Sequence, residues 1–315
     1  MSLYTGHHVR FAQLSRALQC LPESQRGGGF NETLELWQQW FAQGALQLGW
    51  VETAGSGAKE EEIRSLGATL WITDEAVCAL QRPGHGTAAQ RIMEAVRGDG
   101  SAPAWVMNQA QIRAAHATQQ LNLLVLHFWS KHGPLDPEFQ PVFVRSNMQF
   151  AEMHQGYGLK WLLQEVTVPE VEILTASGLK ILRTDPAGAT VPRVLLGLNR
   201  DDAHALPGST LAFLFLSPRS RLDLRPSVQR MLSLALRQLT DEDIATALGC
   251  SRDYVRKLWG VAYEKIESAG VLGADSGEKS GATSTPRGRE RRRRTLEFLR
   301  SNPQELRPGL PDHGC

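Results

Sequence analysis

Apolar residues recur at helical spacing in residues 225–270, which predicts three short helices joined by brief turns. Pro226 suits the first position of the first helix, because its missing N–H would be unpaired there in any case. Thr240 and Asp243 match a capping box that begins the second helix, and Gly249 suits its left-handed end. The apolar positions of these two helices are Val228, Leu232, Ala235, Leu239, Ile244, Ala245 and Leu248. The turn after the second helix is then only Gly249 and Cys250.

The third helix of this segment is predicted to begin after Ser251, whose hydroxyl can cap it. Its buried stripe consists of Val255, Leu258, Trp259, Ala262 and Ile266. The residues left on its outer face, or at the edge of that face, include Arg252, Asp253, Tyr254, Arg256 and Lys257. A recognition helix places base-reading and phosphate-binding groups on such a face, since arginine can bind guanine with two hydrogen bonds and lysine can bind phosphate. The pattern predicts DNA contacts from Ser251, Arg252, Tyr254, Arg256 and Lys257.

The segment resembles the C-terminal DNA-binding domain of LuxR-type (NarL/FixJ-like) transcriptional regulators. The third helix of that family reads S-x-x-T-V-K-x-H-x-x-x-I-Y-x-K-L. The matching residues are Ser251, Val255, Arg256, Tyr263, Lys265 and Ile266 in the third helix, and Ile244, Ala245, Leu248 and Gly249 in the second. The resemblance implies an all-α helix-turn-helix domain over 225–270, in a regulator that binds specific double-stranded DNA as a homodimer and has no enzymatic activity or cofactor. It also implies a cytoplasmic protein that can respond to a small-molecule effector or contact RNA polymerase.

Residues 1–220 are predicted to form one α+β domain, with a central sheet and packed helices. Helices are expected over 32–48, 60–66 and most of 137–165, and a short strand over 68–73. The continuous apolar run Leu121–Phe128 is typical of a strand buried on both faces. Three further apolar runs at 179–183, 194–198 and 211–216 add to the sheet.

No catalytic motif stands out in residues 1–220, which favours a sensor or dimerisation domain over an enzyme. His127, His132 and Asp136 carry side chains that can bind a metal ion. Their spacing crosses a predicted strand end and a loop, so no metal site is predicted. Seven tryptophans could line a ligand pocket or simply fill the core. Two alternatives remain open: a small-molecule enzyme in residues 1–220 with an accessory helical module, and a protein-binding adaptor.

Charge divides unevenly along the chain and supports the nucleic-acid interpretation of its C-terminal part. Residues 225–315 carry 16 Lys and Arg against 12 Asp and Glu, a net charge of +4, whereas residues 1–224 carry 18 against 21, a net charge of −3. Residues 271–315 are predicted to be a flexible basic tail with a possible short helix. Its run Arg291, Arg292, Arg293 and Arg294 is expected either to contact DNA phosphates or to dock on an acidic surface of the protein.

The remaining bulk features are those of an ordinary globular chain. The four cysteines are scattered without a C-x-x-C pair, which indicates a reduced compartment and argues against a disulfide framework. The longest apolar runs are far shorter than the ~20 residues that cross a bilayer. No membrane partner is therefore expected.

Overall fold

The computed structural model describes residues 4–26, 28–53, 62–98, 104–133, 136–185, 192–206, 208–216, 218–236, 239–270 and 287–309. The chain divides into two compact units, Met1–Ser217 and Pro218–Cys315. The boundary lies three residues before the end predicted for the first domain. Within the described residues, no helix combines the length and apolarity needed to cross a membrane.

The first unit is built on seven strands. They are β1 (Tyr4–His8), β2 (Leu46–Thr53), β3 (Ile63–Ile72), β4 (Leu121–Ser130), β5 (Leu159–Thr167), β6 (Lys180–Thr184) and β7 (Arg193–Asn199). The helices are α1 (Leu14–Cys20), α2 (Phe30–Ala42), α3 (Asp74–Gln81), α4 (Ala88–Arg97), α5 (Gln109–Ala117), α6 (Phe139–His154), α7 (Val168–Ala176) and α8 (Arg200–Ala205). Short 3₁₀ helices lie at Phe11–Gln13, Glu23–Gln25 and Ala212–Leu214.

All seven strands belong to one mixed sheet with the order β1-β2-β3-β4-β5-β7-β6. β1 pairs with β2, β2 with β3 and β3 with β4 in antiparallel ladders. β5 pairs with β7 and β7 with β6 in the same way. Among the described strands, β4 and β5 form the only parallel pair, with α6 as their crossover connection. The sheet therefore consists of two antiparallel parts that meet at β4 and β5.

Tryptophans anchor the core of this unit. Trp37 and Trp40 of α2, Trp50 of β2 and Trp71 of β3 are almost completely buried. Large aromatic side chains remove much apolar surface from water and so contribute strongly to packing. The tryptophans were predicted either to line a ligand pocket or to fill the core, and core packing is confirmed for these four residues.

Several predicted elements of this unit are corrected. Residues 63–72 form β3 although the pattern indicated a helix up to residue 66, and residues 46–53 form β2 although a helix was expected up to residue 48. The predicted helical region 137–165 contains both α6 and β5, separated by a positive-φ glycine, Gly156. Glycine accepts that conformation without strain, so the chain turns there from helix towards strand. The apolar run 211–216 contains a 3₁₀ helix and no strand.

The second unit consists of four helices, α9 (Pro226–Leu236), α10 (Asp241–Leu248), α11 (Arg252–Ser268) and α12 (Arg287–Ser301), and a 3₁₀ helix at Pro303–Leu306. The expected caps are present: Thr240 and Asp243 form the capping box of α10, Gly249 has φ 63°, and Ser251 caps α11. The buried stripe predicted for α11 is buried as expected.

Helix α12 belongs to the core of the second unit. Leu299 and Leu306 are buried in the same cluster as Leu232, Val255 and Trp259. The carboxylate of Glu305, itself fully buried, accepts hydrogen bonds from the backbone N–H groups of Arg221 and Leu222. Residues 287–309 therefore form a longer and better-packed structure than the short helix considered in a flexible tail, while residues 271–286 of that tail lie outside the described residues.

The predicted fold class, an α+β sensor-like domain followed by an all-α helix-turn-helix domain, is wrong. The first unit is a mixed seven-stranded sheet with helices packed around it, and its strands run from residue 4 to residue 199 and do not cluster late in the chain. The core of the second unit extends beyond residues 225–270, since it also includes Leu299 and Leu306.

Candidate active site between strands β4 and β5

The parallel strands β4 and β5 part towards their carboxyl ends. Their pairing runs from Leu121 with Leu159 to Val125 with Gln164, but β4 continues to Ser130 and β5 to Thr167. The outer edges of both strands stay paired, β4 with β3 and β5 with β7. The inner edges beyond Val125 and Gln164 therefore face each other across a gap, without the ladder hydrogen bonds that an adjacent strand would supply.

A cavity reaches this gap from the face of the sheet that packs against α6, and we name it the α6 cavity. It has an empty volume of about 750 Å³, part of which is open to solvent. Its lining comes from six elements and one loop residue: Gly49, Ser65, Gly67, Thr69, Val125, Phe128, Phe143, Ser146, Asn147, Gln149, Phe150, Met153, His154, Leu162, Gln164, Leu174 and Leu211. Aromatic and aliphatic side chains form most of its wall.

A second cavity, of about 710 Å³ including its open part, reaches the same gap beside the first turn of α4, and we name it the α4 cavity. It is lined by Gln25, Thr87, Ala88, Ala89, Val125, Leu126, His127, Phe128, Gln164, Glu165, Val166, Thr167, Glu170 and Arg193. Val125, Phe128 and Gln164 line both cavities. The two cavities therefore meet in the gap.

Strand alternation places the two cavities on opposite faces of the sheet. Phe128 is paired with Gly67, and both line the α6 cavity. Since successive residues of a strand point to opposite faces, His127 points to the other face, where its ring lies 5.9 Å from that of Trp37. The same alternation directs Glu165 to the α4 side, where its carboxylate accepts a hydrogen bond from the Ala88 N–H (2.8 Å).

His127 is the most unusual polar group of the α4 cavity. It is buried, and its Nε2 has no hydrogen-bond partner among the residues that the structure describes. Burial, with a smaller contribution from the positive charge of Arg193, lowers the pKa of His127 to about 3, so the imidazole is neutral at physiological pH. A buried nitrogen without a partner is costly unless a ligand completes its hydrogen bond. His127 is therefore suited to bind a polar group that enters from this side.

A buried ion pair fixes the wall beside it. Arg183 of β6 binds the Glu165 carboxylate (2.5 Å) and donates to the Leu80 carbonyl (2.6 Å), with both charged side chains nearly inaccessible. Because Glu165 also holds the first N–H of α4, these contacts tie β5, β6 and the start of α4 together. The carboxylate of Glu165 is thus already engaged by Arg183 and by the Ala88 N–H, so we give Glu165 a positioning role.

The residues considered for a metal lie apart. His132 receives a hydrogen bond from Arg64 and binds Asp136 (Nδ1–Oδ2 2.8 Å), whereas His127 packs against Trp37. The hydrogen bond from His132 is the main cause of the lowered pKa of Asp136. No group of three or more metal-binding side chains occurs among the residues described by the structure.

The residues predicted to contact DNA fall into two groups within the second unit. Ser251 caps α11, and Arg252, Tyr254, Arg256 and Lys257 are exposed on that helix. In α12, Arg291 lies over the Tyr263 ring and pairs with Glu267, while Arg292 lies over Trp259 and binds Asp241 (2.9 Å).

Arg293 and Arg294 bind Glu290, and these bonds lower the pKa of Glu290 to about 2. All four arginines of the run thus bind acidic residues of their own unit, which resembles the alternative in which the run docks on an acidic surface of the protein. No finding tests the role of these residues or of the α11 group in DNA contact, which stays a prediction.

No protein-family model and no curated protein matches the sequence. Solved structures that match include FeeM, an N-acyl amino acid synthase from uncultured soil microbes, with 11% identity, a TM-score of 0.38 and coverage of 67% of this chain and 97% of that one. The spermidine N-acetyltransferase SpeG of Vibrio cholerae has 10% identity and a TM-score of 0.36 over 65% and 98%. NAA60 of Arabidopsis thaliana, in complex with acetyl-CoA, has 10% identity and a TM-score of 0.34 over 63% and 99%. At these values the likenesses assign no activity to this chain.

The predicted identity is nevertheless corrected. The matching structures named above are acetyl- and acyltransferases and not LuxR-type regulators, so the prediction of a DNA-binding transcriptional regulator without enzymatic activity is wrong. The partners inferred from it, double-stranded DNA, a homodimeric arrangement on it, an effector and RNA polymerase, are withdrawn with it. The enzyme alternative for residues 1–220 agrees better with these findings.

Most of the residues that line the gap were not identified from the sequence. A polar residue within a buried apolar run was a usable signal, since His127 interrupts LNLLVLHF and such a group needs a partner. Gly49 and Gly67 gave a second signal, because glycine inside a strand often marks space for a ligand or a close backbone approach. Neither signal indicates that β4 and β5 are neighbours, which depends on the order of the strands in the sheet.

Proposed function

We propose that the first unit is an acyltransferase, which moves an acyl group from a thioester donor to a nucleophilic acceptor such as a primary amine. The observation that carries the proposal is the gap between β4 and β5, into which two cavities open from opposite faces. A transfer between two substrates needs both reacting groups to meet in one place, and this arrangement lets each arrive by its own route. A reduced compartment, expected from the scattered cysteines, and the cytoplasmic location that the resemblance implied remain part of the proposal.

The open strand edges suit the extended arm of a thioester donor. The pantetheine arm of coenzyme A and of acyl carrier proteins is a narrow chain that contains two amide groups. Such a chain can lie between β4 and β5 and exchange hydrogen bonds with the backbone, as a peptide does when it adds to a sheet edge. Backbone N–H groups in the same gap are placed to stabilise the oxyanion of a tetrahedral intermediate.

The α4 cavity is the polar side and suits the acceptor. There the unpaired Nε2 of neutral His127 can hydrogen-bond the acceptor group. A base with a pKa near 3 takes up a proton poorly at neutral pH, so we assign His127 to acceptor positioning and not to general base catalysis. The amine attacks the thioester carbonyl carbon and the C–S bond breaks, so that the sulfur leaves as a thiolate. The amine gives up one proton to solvent, the thiolate takes one up, and the products are an amide and a free thiol.

Thiol release by the full-length chain tests the proposal. Coenzyme A and carrier-protein thioesters are offered separately with a panel of polyamines and amino acids, and amide products are identified by mass. Gln164→Trp should abolish transfer, since Gln164 lines both cavities where they meet. Met148→Trp is the matched control, because Met148 lies on α6 with 55% of its surface exposed.

The expected outcome is acceptor-dependent thiol release that Met148→Trp retains and Gln164→Trp loses, with both variants folded by circular dichroism. If neither donor class binds or reacts with any acceptor, the acyltransferase proposal is wrong.

A further inference from the structure

We infer that the donor carries a medium-length linear acyl chain, of roughly eight to twelve carbons, which lies in the α6 cavity. The inference rests on the proposed function and specifies its substrate class. An acetyl group would need only the corner of this cavity next to the gap. The structure provides much more apolar space than that, and four observations indicate what fills it.

The first observation is the reach of the cavity across the sheet. Its lining begins at Gln164 on β5 and continues to Gly49 on β2. Three strand spacings separate these strands, which corresponds to about 14 Å. An extended chain advances about 1.2 Å per bond, since a residue of three bonds spans at most ~3.6 Å. A distance of this size accommodates roughly ten carbons.

The second observation is that protein contacts already satisfy several polar groups of the lining. The His154 Nδ1–H donates to the Phe150 carbonyl (2.8 Å), so its Nε2 accepts from the Thr69 hydroxyl (2.9 Å). Ser146 donates to the Val142 carbonyl (2.8 Å) and accepts from Ser65 (2.7 Å). A ligand in this space therefore gains little from polar groups.

Apart from Asn147, Gln149 and Gln164, the remaining wall is formed by apolar side chains and glycines, and it surrounds the entrance from the gap. Phe128 and Phe143 meet edge to face with ring centroids 5.9 Å apart, and Phe150, Met153 and Leu162 continue the surface. An unbranched hydrocarbon fits such a wall because it needs contact area without hydrogen bonds. The entrance through the gap places its carbonyl end beside β4 and β5, where the proposed transfer takes place.

Two glycines show where the far part of the cavity is filled and where it is empty. A Cβ on Gly49 would lie 2.5 Å from Gln149 Nε2 and 2.9 Å from the Met153 sulfur, so α6 side chains already occupy that position. A Cβ on Gly67, its partner across β2 and β3, would meet no atom nearer than the Gly49 carbonyl oxygen at 3.9 Å. A side chain at position 67 would therefore extend into the cavity without a clash at its first carbon.

The test measures binding and transfer with coenzyme A thioesters from acetyl to palmitoyl, using the full-length chain. Affinity should rise about fourfold for each added methylene until the cavity is full, which corresponds to ~0.8 kcal/mol per methylene. Gly67→Leu should remove most of this rise, and Gly67→Ala should shorten the preferred chain by a smaller amount. Gly208→Leu is the control, because Gly208 is exposed and has no atom within 4 Å of its Cβ position.

The possible results separate the two proposals. Transfer that does not depend on chain length, with Gly67→Leu equal to the unmodified chain, would overturn the acyl-chain inference and leave the acyltransferase proposal in place. Chain-length-dependent binding that Gly67→Leu abolishes, without transfer to any acceptor, would support the acyl-chain pocket and overturn the transferase. The absence of both binding and transfer would overturn both.

Discussion

At the scale of single residues, the buried imidazole of His127 links the candidate site to stability. Its pKa of about 3 in the folded protein lies below the ordinary value of 6.5. The unfolded chain therefore binds more protons than the folded one between these two values, and the free energy of unfolding falls as the pH decreases from about 6.5 towards 3. Above pH 6.5 this residue adds no pH dependence.

We expect His127→Phe to reduce that pH dependence. The slope of the unfolding free energy between pH 6 and 4 should decrease by about 1.4 kcal/mol per pH unit, the equivalent of one proton. Denaturant titrations at several pH values measure it, and His85→Phe, at an exposed histidine, is the matched control. Equal slopes for the unmodified chain and His127→Phe would show that His127 does not titrate in this way.

The buried pair of Arg183 and Glu165 gives a second prediction at this scale. Arg183→Met should lower the free energy of unfolding by about 3–5 kcal/mol, because it leaves the Glu165 carboxylate buried without its cation. Lys180→Met on the same strand should cost less than about 1 kcal/mol, since the Lys180–Asp202 pair is more exposed. Chemical denaturation compares the two, and similar small losses would contradict a structural role for the buried pair.

At the scale of secondary-structure elements, the sequence predicted the second unit much better than the first. Caps and apolar periodicity are local signals, so Thr240, Gly249, Ser251 and the buried face of α11 could be identified without knowledge of the fold. By contrast, β2 pairs with β1 near the start of the chain as well as with the next strand, and β5 pairs with β4 and β7, which are both distant in sequence. The apolar residues of β2 and β5 extended neighbouring helical patterns. The gap could not be predicted for the same reason, since it depends on where the pairing of β4 and β5 stops.

Helix α12 provides the prediction at this scale. Leu299→Ala should destabilise the second unit by about 2–5 kcal/mol, because Leu299 is fully buried in its core. Amide hydrogen exchange in α9 to α11 measures the effect in the full-length chain. Arg300→Ala, at the next and exposed position, should change exchange by less than about 0.5 kcal/mol. Unchanged protection in Leu299→Ala would mean that α12 is dispensable for this core.

At the scale of the whole molecule, the proposed chemistry and the resemblance belong to different units. The resemblance covers residues of α10 and α11, whereas the gap, both cavities and His127 lie in the unit that ends at Ser217. A short motif carries information about the segment that contains it and little about the rest of a two-unit chain. The predicted function was wrong because it extended to the whole protein a resemblance that covers only residues 225–270.

The parting of β4 and β5 also determines where the first unit can deform. Five antiparallel ladders keep the strands on either side of the gap at fixed spacing, while the short parallel segment from Val125 back to Leu121 is the only described ladder that joins the two parts of the sheet. The ladder topology would allow a small rotation about that segment to widen or narrow the open end without breaking any other ladder. The sheet therefore has one flexible junction between two more rigid antiparallel parts. A molecule bound between the open edges would restrict the movement of these two parts relative to each other.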